Sequence, residues 1–317
     1  MEADLLLAQR GAVFLFNLAV ALLTGASAAT VWLRRGSSNW TAVQLPRLRR
    51  TMLAAALAAT AAYACILWLE AASMAEVPLA EALSAVQSVL TATYYGFAWL
   101  IGAGALVLVL ICSSTDPHPQ AAAAVGLVRA AALGVLLYSR SMVSHAGAGG
   151  PVGWALAIDW VHLVLVSLWL GEVLVAGAIT LRAPPENKAR ERADRKRYIA
   201  ALSHSATIAL AGIFLTGLAS AWRGLGSPAN VVGNPYGTTL LVKLALVLVA
   251  AALGGLNRFV VMPSLLAQLR KGAGAGGAAG LAPNRRFARV LQVEAVVLMA
   301  ALAAAAFLSS TPPPTAS

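Results

Sequence analysis

Charge is scarce in this chain. Of its 317 residues, 11% are Asp, Glu, Lys or Arg, against about 25% in an ordinary soluble domain, while 60% are hydrophobic and the mean hydropathy is +0.77. That balance excludes a soluble globular protein. There are only two cysteines, Cys65 and Cys112, each inside an apolar run, which excludes a disulfide framework and suits small packing residues. No Walker A motif occurs, and the longest loop, roughly thirty residues, is too short for an ATPase domain, so this chain does not itself drive transport with ATP. The GxGxxG inside "RKGAGAGGAAG" (270–280) follows no strand and reads as a flexible linker. Ser, His and Asp are not arranged as a triad, and neither cysteine has a base nearby, so we expect no enzyme. The opening "MEADLLLAQRG" carries Glu2 and Asp4 where a secretory signal has positive charge, so the first apolar run is read as an uncleaved span.

What the chain does have is long apolar blocks. A membrane-crossing helix needs about 20 mostly apolar residues. Eight blocks qualify, at 11–33, 52–72, 90–112, 122–143, 155–181, 199–222, 237–257 and 287–308. The expected fold is an all-α integral membrane protein of eight transmembrane helices. Net charge is +11, but its placement argues against nucleic acid. Eighteen of the 23 Lys and Arg fall in three segments: Arg34 to Arg50, Arg182 to Arg197, and Arg258 to Arg289. These follow spans 1, 5 and 7, a positive-inside pattern that puts both termini outside. The same charges attract anionic membrane lipids. Trp154, Trp160, Trp222, Tyr95 and Tyr236 fall near span ends, where half-polar rings suit the headgroup layer.

A weak internal repeat is visible. Tyr95, Gly96 and Leu100 match Tyr236, Gly237 and Leu241, each pair 141 residues apart, and each set opens an odd-numbered span. Four spans per unit gives two units of equal orientation, a parallel repeat. The expected division is 1–150 for the first four-helix unit and 151–317 for the second, with spans 4 and 5 at the junction.

Ionisable groups within spans cost several kcal/mol and face protein or water. Toward the outer face are Glu70, His145, Asp159, His162 and Lys243; toward the inner face are Glu172, His204 and Glu294. Asp159, His162, Val166 and Trp169 recur at helical spacing and stay within roughly 80° of one another, with Glu172 at the edge of the stripe. Asp159, one turn from His162, can fix an imidazole tautomer and leave the other nitrogen as a ligand. His145 ends span 4 in "SMVSHAGAGG", whose glycines allow a return toward span 5, and Met142 lies one turn earlier. Imidazole with thioether suits copper better than magnesium or calcium. The plainer readings stand beside this one: histidines that cap helix ends, and a Met that only packs. His204, between Ser203 and Ser205, reads as a cap for span 6, and His118 as a solvated loop residue. Glu172 with Glu294 is either a relay or a helix–helix contact. Lys243 either pairs with Glu70 or snorkels.

"SHAGAGG" followed by "DWVHLVLVSLWLGE" resembles the turn and histidine-bearing span of the CopD copper resistance family. "LTGLASAWRGLGSP", "NPYGTTLLVKLALVLVAAALGGLNRF" and "RVLQVEAVVLMAAL" resemble its next three spans. The resemblance implies an eight-span protein of the bacterial inner membrane with periplasmic termini, engaged in copper transport or tolerance beside a periplasmic copper-binding protein of the CopC type. It implies His145 and His162 as the metal-binding histidines; Met142 and Asp159, read from spacing and ligand chemistry, are further candidates. Tyr236, Gly237, Lys243, Asn257, Arg258 and Glu294 fall on family elements. Glu172 departs from the family pattern, standing where a small residue is expected. Glu172, His204, Glu294 and Lys243 form a candidate path inward. Two other readings are a b-type haem protein, with His145 and His162 as ligands, and a copper-delivery scaffold that does not transport.

Overall fold

The computed structural model describes residues 2–147, 150, 152–182, 188–271 and 278–316. Three residues of the glycine corner (148, 149 and 151) and residues 272–277 of the glycine linker lie outside the described residues, as does the exact junction of the two expected units. The described chain is helical, with no strand: α1 Glu2–Leu33, α2 Asn39–Ala75, α3 Ala82–Ala92, α4 Tyr94–Ser114, α5 Ala122–Met142, α6 Trp154–Val175, α7 Ala189–Leu225, α8 Pro235–Leu256, α9 Met262–Lys271 and α10 Ala278–Ser309. Eight of these are long and apolar enough to cross a membrane. The protein is a multi-pass membrane protein of eight spans.

Several helices differ from expectation. The third block reads from the sequence as starting at residue 90, but the chain breaks at Thr93, which is extended, and 82–92 forms a separate short helix, α3. α6 and α8 each run on through a π-helical turn, Ala176–Thr180 and Asn257–Val261. α2 and α7 have 37 residues each, about 55 Å at 1.5 Å per residue. Both therefore project well past a ~30 Å hydrocarbon core. His204 consequently caps nothing: α7 begins at Ala189, and His204 lies well inside the helix.

Polar contacts hold these basic extensions. Ser38 precedes α2 without capping it by its own side chain. Instead Asp194 of α7 reaches across, and its Oδ2 accepts from the backbone N–H groups of Ser37 (3.0 Å) and Ser38 (2.9 Å). The carboxylate also faces the positive end of the α2 dipole and pairs with Arg197. Glu191 and Arg195 form a buried ion pair at 2.8 Å, with the guanidinium 4.9 Å from the Trp40 ring centroid. Thr180 links its hydroxyl to Tyr198 (2.9 Å) and its carbonyl to Trp40 Nε1 (3.2 Å). α2, α6 and α7 are thus fastened at one end of the bundle. Asp194→Ala should cost about 1–2 kcal/mol, the range for a lost cap, and lower the thermal midpoint in detergent. Asp194→Asn keeps an acceptor and should lose less.

At the opposite end both termini meet: Arg10 donates to Ser310 Oγ (2.8 Å) and lies over Phe307. Between the ends, α1 packs against α2 and α6. One main apolar cluster, including Phe16, Val20 and Leu23 of α1, Ala56 of α2, Leu136 of α5, Leu170 of α6 and Ala209 of α7, runs through both halves of the chain. α8 is peripheral, with only Gly237 and Ala250 buried, and leans on α10.

α4 and α8 open alike. Thr93 Oγ1 accepts from Gly96 N (3.0 Å), and Asn234 Oδ1 accepts from Gly237 N (2.8 Å). Each glycine abuts the carbonyls of the preceding turn, at Val89 and Val231, where a Cβ would sit 2.1 and 2.3 Å from oxygen. This accounts for the glycine of each Tyr-Gly pair.

Candidate metal centre

The end of the bundle that carries the termini also carries the turn between α5 and α6. Ser144 anchors that turn. Its hydroxyl lies 2.9 Å from Ser141 O and 3.0 Å from Asp159 Oδ2, and accepts from Ala146 N at 3.1 Å. Asp159 therefore fastens the turn onto α6 and bonds Ser144 in place of His162.

His162 is oriented from another helix. Its Nδ1 lies 2.9 Å from Thr216 Oγ1 of α7. The Thr216 proton is committed to Gly212 O at 2.6 Å. The hydroxyl is then placed to accept from the ring, and in a neutral imidazole that arrangement puts the proton on Nδ1 and leaves the lone pair on Nε2. Gly217 lies beside the ring, where a Cβ would make ordinary van der Waals contact with His162 Cε1 at 3.5 Å. The side chain that bonds the ring is Thr216, where the sequence suggests Asp159. A threonine in an apolar helix usually bonds its own backbone, so nothing in the sequence singles it out.

The other expected residues fall as follows. His145 is exposed on the turn. Met142 is 4% exposed and clusters with Ala98 and Leu156. Lys243 of α8 is an electrostatic neighbour of both Asp159 and His162. It does not pair with Glu70, whose basic neighbour is Arg140, because α8 leans on α10, away from α2. Among the described residues no three of His, Cys, Asp and Glu group into a preformed metal cage.

Deeper in, Glu172 and Glu294 are both buried and each makes its own interhelical bond. Ser205 of α7 donates to Glu172 Oε1 at 2.5 Å, and Trp169 Nε1 donates to Glu294 Oε1 at 3.1 Å. Glu172 Oε2 has no partner. His204, next to Ser205, is exposed on α7, while Ser205 makes the contact to Glu172.

Two cations of α5 are not singled out by the sequence argument. Arg129 is 5% exposed, with Nε 2.9 Å from Ser27 Oγ and Nη1 3.5 Å from Cys112 O. Arg140 neighbours Glu70 and lies 5.7 Å from the Phe16 ring centroid. An arginine within an apolar run is the signal for both.

Two family models match the chain. "Copper resistance protein D-like, N-terminal domain" matches residues 3–154, and "Copper resistance protein D" matches residues 196–308. A curated relative, Copper resistance protein D of Pseudomonas syringae pv. tomato, is 28% identical over 226 residues, covering 70% of each chain. No solved structure matches.

Proposed function

The chain belongs to the copper resistance protein D family, and from that premise we propose that it binds copper at the outer end of its helix bundle and carries it across the membrane. The observation that supports this reading best is the His162–Thr216 bond, which leaves Nε2 as a free imidazole ligand inside the bundle. His145, on a turn tied to α6 through Ser144 and Asp159, supplies the second imidazole at the mouth. Asp159 adds negative charge beside the ion. Met142 supplies a thioether once it leaves its packing with Ala98 and Leu156. Imidazole and thioether together favour copper over hard cations. Lys243, beside Asp159 and His162, balances the carboxylate while the site is empty. Glu172 and Glu294 lie further along the route inward.

The protein sits in the bacterial inner membrane. Its basic ends are cytoplasmic and its termini periplasmic, as the positive-inside rule directs for the three arginine-rich segments. Two four-helix units in parallel orientation, 1–150 and 151–317, account for the matched openings of α4 and α8. A periplasmic copper-binding protein of the CopC type docks at the outer end and delivers to His145.

Copper uptake into proteoliposomes tests transport. We expect accumulation inside the vesicles that His162→Ala removes. Binding at the outer face with no accumulation would replace the permease with a delivery scaffold.

A further inference from the structure

α8 leans on α10 and hardly meets α7. Between α7 and α8 lies a half-open cleft of about 240 Å³. Buried residues of α6, α7 and α10 close its floor, among them Trp169, Val173, Leu202 and Leu291. Small residues make the room on its flanks, Ala206 on α7 and Ala251, Gly254 and Gly255 on α8. A Cβ on Gly255 would meet nothing within 4 Å. The carboxylate on the floor, Glu294, is already bonded by the Trp169 indole at 3.1 Å. Most of the wall therefore offers only dispersion contacts, and a gap left beside it forfeits them. Exposed Thr207 on α7 and Phe259 after α8 stand at the margin, so the cleft opens where the two helices part, toward lipid.

One cation stands at this margin. Arg258 lies roughly 35 Å along the helix from Pro235, and its partner Ser203 lies roughly 33 Å from the far end of α7 at Leu225, at 1.5 Å per residue. Both reach the level where a ~30 Å hydrocarbon core gives way to headgroups, on the side of the basic segments. Arg258 Nη1 is shared among Ser203 O (2.8 Å), Ser203 Oγ (2.8 Å) and Thr207 Oγ1 (2.6 Å). These bonds moor the guanidinium at the mouth and leave Nε and Nη2 out. The ion pairs between described residues join Arg49 to Asp116, Arg195 to Glu191 and Arg197 to Asp194, without Arg258. A moored, half-buried guanidinium with donors to spare suits a phosphate. Phe259 beside it, 75% exposed, presents an apolar ring to the bilayer.

We propose that the cleft between α7 and α8 holds one anionic phospholipid of the cytoplasmic leaflet, with its phosphate on Arg258 and one acyl chain along the apolar wall toward Trp169. Charge and depth select this occupant: the headgroup meets a cation at phosphate level, and the chain meets a wall with few polar atoms. Basic pockets between spans on the cytoplasmic side take anionic headgroups in this way. The lipid fills the place that α7 leaves empty beside α8 and braces a helix otherwise held by α10. The leaflet follows from the orientation set by the basic segments. Neither His145 nor His162 takes part, so loss of copper binding and loss of this site are separable.

The test uses the full chain in phosphatidylcholine nanodiscs containing a small fraction of phospholipid with brominated acyl chains, which quench tryptophan on contact. The readout is the part of the emission that Trp169→Phe removes. Brominated phosphatidylglycerol should quench it saturably, with about tenfold preference over brominated phosphatidylcholine, the effect of a charged hydrogen bond. Arg258→Gln should erase the preference, and Arg258→Lys should keep part of it. Gly255→Leu, which fills open space without a backbone clash, should protect Trp169 from both lipids. Each variant is first shown folded by its size-exclusion profile. Equal quenching by the two lipids in wild type, an undiminished preference in Arg258→Gln, or wild-type quenching in Gly255→Leu would overturn the proposal. So would loss of the preference on adding inorganic phosphate, which would make Arg258 a site for the free ion. A two-chain particle whose Trp169 neither lipid quenches would also overturn it, and would give the cleft to a second copy.

Discussion

Gly171→Val is expected to leave almost no folded protein in the membrane fraction. Here α1 and α6 meet backbone to backbone. A Cβ on Gly171 would sit 1.8 Å from Ala21 O, and a Cβ on Gly25 would sit 2.0 Å from the Gly171 carbonyl carbon. Small residues at such crossings are how membrane helices gain contact in the absence of a hydrophobic drive between them. No rotamer relieves the clash, because the opposing atoms are main chain. The helices must separate, and with them the surrounding Phe16, Val20, Leu23 and Leu170, all essentially buried. Ordinary overpacking costs about 1–3 kcal/mol; separating a whole helix pair should exceed ~3 kcal/mol, a large share of a typical fold's stability. Gly104→Ala, at a glycine with nothing within 4 Å of its would-be Cβ, is the control and should be close to neutral. Yield and thermal size-exclusion midpoint in detergent measure both. A Gly171→Val protein that melts with wild type would mean that α1 and α6 do not pack this way.

That crossing also joins fold to function, since Gly171 immediately precedes Glu172. A Cβ on Gly25 would stand 2.6 Å from the Glu172 backbone nitrogen. The close approach fixes the register that points Glu172 at Ser205. An acid is tolerated there because it is buried against α7, away from lipid.

Hydropathy makes the eight spans legible, because a run of some twenty apolar residues matches the thickness of a bilayer and overruns what a soluble core can bury on every side. It does not reveal where helices end. The first ten residues of α7 are mostly polar, and they are helical because Asp194, Glu191 and Arg195 find partners on α2 or within α7 itself. For that reason His204, which reads as a cap where hydropathy begins, stands mid-helix. The Asp159–His162–Trp169 stripe is legible, because helical spacing fixes which residues of one helix share a face. Partners on other helices are not: Thr216 behind His162, Asp159 beside Lys243, Trp169 on Glu294. Those depend on the order in which helices pack, which one sequence does not state. The matched glycines at Gly96 and Gly237 are visible, while what each one does, following an N-cap three residues earlier and crowding a carbonyl, needs coordinates.

The largest functional effect is expected at His162. On the proposed reading His162 is a copper ligand held through Nδ1 by Thr216, so substitution would remove that ligand together with its orienting contact. Of the four histidines, His118 lies in the loop after α4 and His204 is exposed within α7, leaving only His145 near the same end. Thr216→Val preserves shape but removes the orienting acceptor, and should weaken copper affinity by about 10–100-fold, as loss of a ligand's hydrogen-bond partner does elsewhere. The direct measurement is copper content of the purified chain, as wild type and as His145→Ala and His162→Ala, after loading and removal of free metal. The result expected is retained copper in wild type and its loss in both variants, with the helical content of each unchanged. Full copper in both variants would contradict a histidine-held ion at the outer end of the bundle.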